Sequence, residues 1–181
     1  MSARVLTAAV LVFAMAVPLE ARPRRRRGSS PFVDREGFLI GFSVGAGAIG
    51  PDPCTDCGVS AGGEIHVGAM ASSYADVAVM LEAGGVARDD LHHGFLVAVA
   101  QWWPDPFERF WLRAGGGIGW RGGDLVTEHR DAAYPTALAA VGFEVVRSDR
   151  FAADLQLQGA ATREPGRWGH SLSVNVGFNW Y

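Results

Sequence analysis

The sequence predicts an all-β chain, with eight antiparallel strands running up and down and closing into a barrel. Three observations carry that expectation. From Gly37 onward the chain divides into eight segments of about ten residues in which side chains alternate with a period of two. Apolar residues make up 49% of the chain, yet beyond the N-terminus none of them form the run of about 20 that a membrane helix needs. The 24 glycines follow no collagen-like period and suit turns and crowded barrel walls.

The N-terminus reads as an export signal. Met1 to Arg4 is a short basic start, and Val5 to Val17 is an apolar run too short to span a bilayer. Pro18 ends it and small residues follow, so cleavage is expected after Ala21, with Ala16 as the alternative. Residues 22–36, which include Arg24 to Arg27 in a row, are rich in Arg, Pro, Gly and Ser and predict a disordered periplasmic tail. Residues 37–181 form the barrel domain. All 16 basic residues are arginines. From residue 28 onward ten arginines stand against eighteen acids, and this acidic balance argues against nucleic acid as a partner.

Each strand has one apolar face. In the first, Phe38, Ile40, Phe42, Val44, Ala46 and Ala48 oppose Gly41, Ser43, Gly45 and Gly47. In the second, Val59, Ala61, Ile65, Val67 and Ala69 oppose Ser60, Gly62, Glu64, His66 and Gly68, and in the third Val77, Val79, Leu81 and Ala83 oppose Glu82, Gly84 and Arg88. The fourth, Gly94 to Trp103, is apolar on both faces, so its parity stays open. Phe110, Leu112, Ala114, Ile118 and Trp120 of the fifth oppose Arg113. The sixth sets Ala137, Ala139, Val141, Phe143 and Val145 against Gly142 and Glu144. The seventh sets Phe151, Ala153, Leu155 and Leu157 against Asp154, Gln156 and Gln158. The last sets Leu172, Val174, Val176, Phe178 and Trp180 against Ser171, Ser173, Asn175, Gly177 and Asn179.

Alternation alone also fits a soluble barrel with its apolar face turned inward around a ligand. Three features favour a membrane barrel with that face turned outward. The strand number is even, which leaves both chain ends on one side. The connections alternate, with Gly50 to Gly58, Arg88 to His93, Gly122 to Ala133 and Arg163 to His170 mostly long and charged, and Ser72 to Ala75 and Arg147 to Arg150 short. Aromatics gather at the turn ends (Phe38, Trp102, Trp103, Phe107, Phe110, Trp111, Phe143, Phe151, Phe178, Trp180, Tyr181) and, in a smaller set, at the loop ends (Phe95, Trp120, Tyr134, Trp168). Two interfacial girdles would look like this.

On these residues the domain resembles the small eight-stranded outer-membrane barrels of the OmpA and OmpX type. The most specific stretch is the final strand, Ser-Leu-Ser-Val-Asn-Val-Gly-Phe-Asn-Trp-Tyr. It resembles the C-terminal signal by which the outer-membrane barrel-assembly machinery recognises its substrates, with Phe178 and Trp180 in phase and Tyr181 one residue beyond. The resemblance implies a bacterial outer-membrane location, outer-membrane lipids and the assembly machinery as partners, and a monomer with no cofactor.

Candidate chemistry is sparse. Cys54 and Cys57 lie in the first outer loop with no second pair to complete a zinc site, so a small structural disulfide is the simplest account. His92 and His93 are expected in a solvated loop, and as neighbours in extended chain they point to opposite faces, so no metal site is expected. Outer-membrane lipid A deacylases resemble this scaffold and carry His-x-Ser on one face. Here Leu172 follows His170 by two, and Ser171 and Ser173 have the opposite parity, so no enzyme is expected. The inward parity is more informative: Glu64, His66, Glu82, Arg113, Glu144, Asp154, Gln156 and Gln158 fall on it. An eight-stranded barrel is just wide enough for side chains to fill, so these charges must pair. Arg113 reads as the one basic residue well inside, paired with one or more of Glu64, Glu82 and Glu144. The expected role is structural or surface-interacting, with a narrow channel gated by that network as an alternative.

Overall fold

The computed structural model describes residues 35, 37–51, 58–71, 76–89, 91–104, 109–122 and 132–181. The expected signal segment 1–21, the tail up to residue 34, and Cys54 and Cys57 lie outside the described residues. Eight strands, β1 (Phe38–Pro51), β2 (Ser60–Met70), β3 (Val77–Arg88), β4 (Leu91–Trp102), β5 (Phe110–Gly122), β6 (Tyr134–Ser148), β7 (Phe151–Glu164) and β8 (Arg167–Trp180), pair in chain order. β1 pairs antiparallel with β8, so the sheet closes and no strand edge is left unpaired.

The apolar parity faces outward. Phe38, Ile40, Phe42 and Val44 of β1, Ile65 of β2, Leu155 and Leu157 of β7 and Leu172, Val174 and Trp180 of β8 are all exposed on the outside. Their in-between neighbours are buried inside, including Ser43, Glu64, His66, Gln156, Ser173 and Asn175. This excludes the soluble barrel whose apolar face would line a ligand cavity. β4 settles its open parity with His93, Phe95, Val97, Val99 and Gln101 pointing inward. Phe95, Val97 and Val99 join Leu39, Met80 and Leu138 in one apolar cluster inside the barrel.

Glycines across the strand seams make room for the larger interior side chains. His66 pairs with Gly41, Glu64 with Gly84, Trp111 with Gly142 and Asp154 with Gly177. A Cβ on any of these four glycines would fall on the partner side chain. Small opposite large lets so narrow a barrel hold an indole and an imidazole.

Two details correct the sequence reading. The second and fourth outer connections are tight turns, because Arg88 still pairs with Leu91 and Glu164 with Arg167. Asp89 takes a positive φ of 51° there and Gly166 one of 79°, conformations that Asp and Gly tolerate in two-residue turns. Four of the expected girdle aromatics point inward: Phe95, Trp103 and Trp111 are buried in the barrel, and Tyr181 is partly buried against the same cluster. At a strand end an aromatic serves either face, and only the ladder register decides. Phe107 lies outside the described residues.

Candidate functional site

The interior polar residues fall into three layers. In the middle layer Arg113 of β5 is the hub. Its Nη1 donates to Glu64 Oε1 at 2.9 Å and to Glu82 Oε2 at 2.7 Å. Its Nε and Nη2 both donate to Gln101 Oε1, at 2.9 and 2.7 Å, and its guanidinium lies 4.7 Å over the Trp111 ring. Gln156 Nε2 donates to Glu64 Oε1 at 3.2 Å, so one cluster ties together β2, β3, β4, β5 and β7. Charge-assisted bonds of this kind are short and about twice as strong as neutral ones.

Beside it runs a second chain. Asn179 Nδ2 donates to Asp154 Oδ2 at 2.8 Å, and His66 Nε2 sits 2.8 Å from Asn179 Oδ1. A carboxylate accepts only, so the asparagine must turn its NH2 to Asp154 and its carbonyl to the histidine. His66 therefore carries its proton on Nε2. Glu64 also has side-chain hydrogen bonds to Glu82 and Gln158, whereas Asp154 Oδ1 and the carbonyl oxygen of Gln156 have no hydrogen-bond partner among the described residues.

The turn-end layer was not legible in the sequence. Arg35, inside the span expected to be a disordered tail, is 1% exposed. Its Nη2 donates to both oxygens of Glu144, at 2.8 and 2.7 Å, and its guanidinium lies 4.4 Å over the Trp103 ring. Trp103 Nε1 donates to Glu144 Oε1 at 3.0 Å, Arg147 Nε donates to Oε2 at 2.6 Å, and the Tyr181 hydroxyl lies 3.4 Å from Oε1. Glu144 stands where β6 bulges between Glu144 and Val146, which lets Arg147 reach the same carboxylate. Glu144 is therefore the hub of this mouth and not a partner of Arg113, and Arg113 is not alone inside. Tyr181 turns inward beneath Arg35, 5.9 Å from its guanidinium, and its N–H donates to Arg150 O. Burial, together with the Glu144 carboxylate, pushes its phenol well above the ordinary tyrosine value, so it remains a hydrogen-bond donor.

At the loop end, His93 belongs to strand β4 and is fully buried, while His92 is exposed on the opposite face. His93 Nδ1 lies 2.9 Å from Ser171 Oγ and Nε2 lies 2.8 Å from Thr162 Oγ1, which is 2.7 Å from Thr136 Oγ1. Ser171 and Ser173, the serines weighed against the deacylase pattern, face inward, and the histidine hydrogen-bonded to Ser171 is His93. With both ring nitrogens occupied and no exposed face, this pair fills space and satisfies hydroxyls. Arg121 lies 3.6 Å from Glu164, which also takes the Arg167 guanidinium. Among the described residues no group of His, Cys, Asp and Glu is placed to hold a metal ion.

No protein-family model matches the chain, and no curated protein matches it by sequence. Solved structures do match in fold. The chain superposes on Neisserial surface protein A (NspA) with a TM-score of 0.63 at 10% identity, covering 80% of this chain and 97% of that one. Ail, the attachment invasion locus protein of Yersinia pestis, matches with a TM-score of 0.53 at 12% identity, over 80% and 99%. A second Ail structure, in complex with the heparin analogue sucrose octasulfate, matches with a TM-score of 0.52 at 10% identity, over 80% and 99%. This chain thus has the closed eight-stranded barrel architecture of these surface proteins.

Proposed function

We propose that this chain is a bacterial outer-membrane barrel protein with a structural or surface-interaction role and no catalytic one. One observation carries the reading. The barrel is inside out by the standards of a soluble protein, with apolar side chains across its outer wall and charges in its core. In water that wall would expose far more contiguous apolar surface than a monomeric protein tolerates. In lipid it is the required arrangement, and closure leaves no backbone group without a partner.

The likeness in fold to NspA and Ail supports the same location. Export by a cleaved segment 1–21, handling of the final strand by the assembly machinery through Phe178 and Trp180, and a monomeric state all belong to this reading. The interior is a packed plug and not a pore. Arg35, Trp103, Trp111 and Tyr181 fill the turn end, the Arg113 cluster the middle, and His93 and Arg121 the loop end. A gated channel would need the Arg113 cluster and the turn-end plug to part together, and nothing in the geometry favours that.

The test is gel mobility of the protein from the membrane fraction, with and without boiling in mild detergent. A compact band that shifts only after heating is the expected result. Recovery in the soluble fraction with no shift would refute the reading.

A further inference from the structure

Outward-facing strand positions carry no Asp or Glu among the described residues. Their ionisable groups are Arg163, His92 and His170, and all three sit at the loop end. The outward wall at the turn end is aromatic, with Phe38, Trp102, Phe110, Phe143 and Trp180, and carries no cation at these strand positions. The outer wall is therefore electrically one-sided, and the side is the one that faces the outer leaflet in the reading above.

Arg163 meets Trp168, and His170 lies on the same outward face. Arg163 of β7 and Trp168 of β8 are cross-strand partners, and the guanidinium lies 4.9 Å over the indole, which is 48% exposed. His170 is two residues further along the same face and lies across Gly50 of β1, where a Cβ would strike its ring. Arg121 of β5 and Arg167 of β8 both reach the single carboxylate of Glu164 at this end. Toward the middle of the barrel run the exposed Leu172, Val174 and Leu157.

We propose that this patch binds the phosphate of an outer-leaflet lipid headgroup. The guanidinium fork matches two phosphate oxygens, the indole beneath it holds the fork flat, and the imidazole offers a third contact. A tryptophan at the level of the headgroups is where such a ring settles. The patch lies directly above wall that faces acyl chains, so its occupant carries its own chains and is a membrane lipid. Attraction of the patch for phosphate also fixes the depth of β7 and β8 in the leaflet.

The proposal rests on the membrane reading, and the experiment separates the two. The full chain is refolded into phosphatidylcholine vesicles alone, with added bis-phosphorylated lipid A, or with the same lipid dephosphorylated. Binding is read as the amount of lipid A retained per barrel and as the temperature at which the compact gel band is lost. We expect the phosphorylated lipid alone to be retained and to raise that temperature. Arg163→Gln should weaken retention about tenfold, the scale of one charge-assisted contact, and still give the compact band in phosphatidylcholine. Arg150→Gln, at the opposite end of the barrel, should bind as the wild type does.

Equal retention of the dephosphorylated lipid, or full retention by Arg163→Gln, would overturn the proposal. So would equal stabilisation by inorganic phosphate at millimolar concentration, since the headgroup would then not be the source. Absence of any heat-sensitive compact band in phosphatidylcholine alone would instead refute the membrane reading itself.

Discussion

Replacing Arg113 by methionine removes the hub of the middle layer while keeping most of its volume. Two carboxylates, Glu64 and Glu82, lose contacts of 2.9 and 2.7 Å, and Gln101 Oε1 loses both of its donors. The side chains of Arg113, Glu64 and Glu82 are at most 1% exposed, so water cannot step in. Removing one partner of a buried ion pair costs about 3–5 kcal/mol, mostly from the charge left behind. Here two buried carboxyl groups lose their cation and the stack on Trp111 is lost as well, so Arg113→Met should cost about 4–5 kcal/mol. If the cost comes from stranded charge, neutralising the acids must recover it. The triple variant R113M/E64Q/E82Q should therefore regain at least half of the loss. The assay is urea unfolding of the refolded barrel in micelles, followed by tryptophan fluorescence and by the compact gel band. A cost below about 1 kcal/mol for Arg113→Met would refute the reasoning, because that is the worth of an ordinary exposed pair. So would a triple variant no more stable than the single one.

Other substitutions probe the remaining layers and the outer wall. Arg35→Ala removes the two-pronged contact to Glu144 and the stack on Trp103, and should lower stability in the same urea assay by about 3–4 kcal/mol; a change under about 1 kcal/mol would mean that the contact does not persist. Gly142→Val places side-chain atoms where the Trp111 indole lies, so the refolded fraction on gels should fall steeply. Leu157→Arg, on the outer wall, should cost about 2–4 kcal/mol in a bilayer if the wall meets lipid, whereas a water-facing wall would tolerate it within about 0.5 kcal/mol. Planar bilayers holding the wild type should show no conductance steps, and a stable open level would contradict the packed interior.

Much of the fold is written in the period of two, since every strand has an outer side and a core side and the chain must alternate between them. The alternation fails where both sides want apolar groups. β4 looked greasy on both faces because its inner face, Phe95, Val97 and Val99, builds the apolar half of the core. In sequence Trp103 and Trp111 fit a girdle, because composition at a strand end is the same for an aromatic in the headgroups and one plugging the mouth. In sequence the ends of β3 and β7 and the start of β8 look like loops because Arg88, Glu164 and Arg167 are charged, yet a barrel rim accommodates charge within the ladder. The pairing of Arg113 with Glu64 and Glu82 follows from parity and from the scarcity of inward cations. Arg35 left no such trace, because it precedes β1 and reaches Glu144 through space across the mouth. Its nearest signal was chemical: once Glu144 is placed inside the barrel, some cation must answer it.

The glycines opposite His66, Glu64, Trp111 and Asp154 act as a test of registration on four of the eight seams. A slip of two residues preserves every inside-outside assignment, so the lipid cannot detect it. The interior can. Such a slip would set Glu64 against Glu82 or Val86, His66 against Leu39 or Ser43, and Trp111 against Ala140 or Glu144. None of those partners leaves the space that a glycine leaves. Because the stagger summed around all seams fixes the tilt and girth of a closed barrel, these local fits act as a gauge on the whole cylinder. A chain that met the bilayer with one seam wrong would be unable to close without colliding with itself.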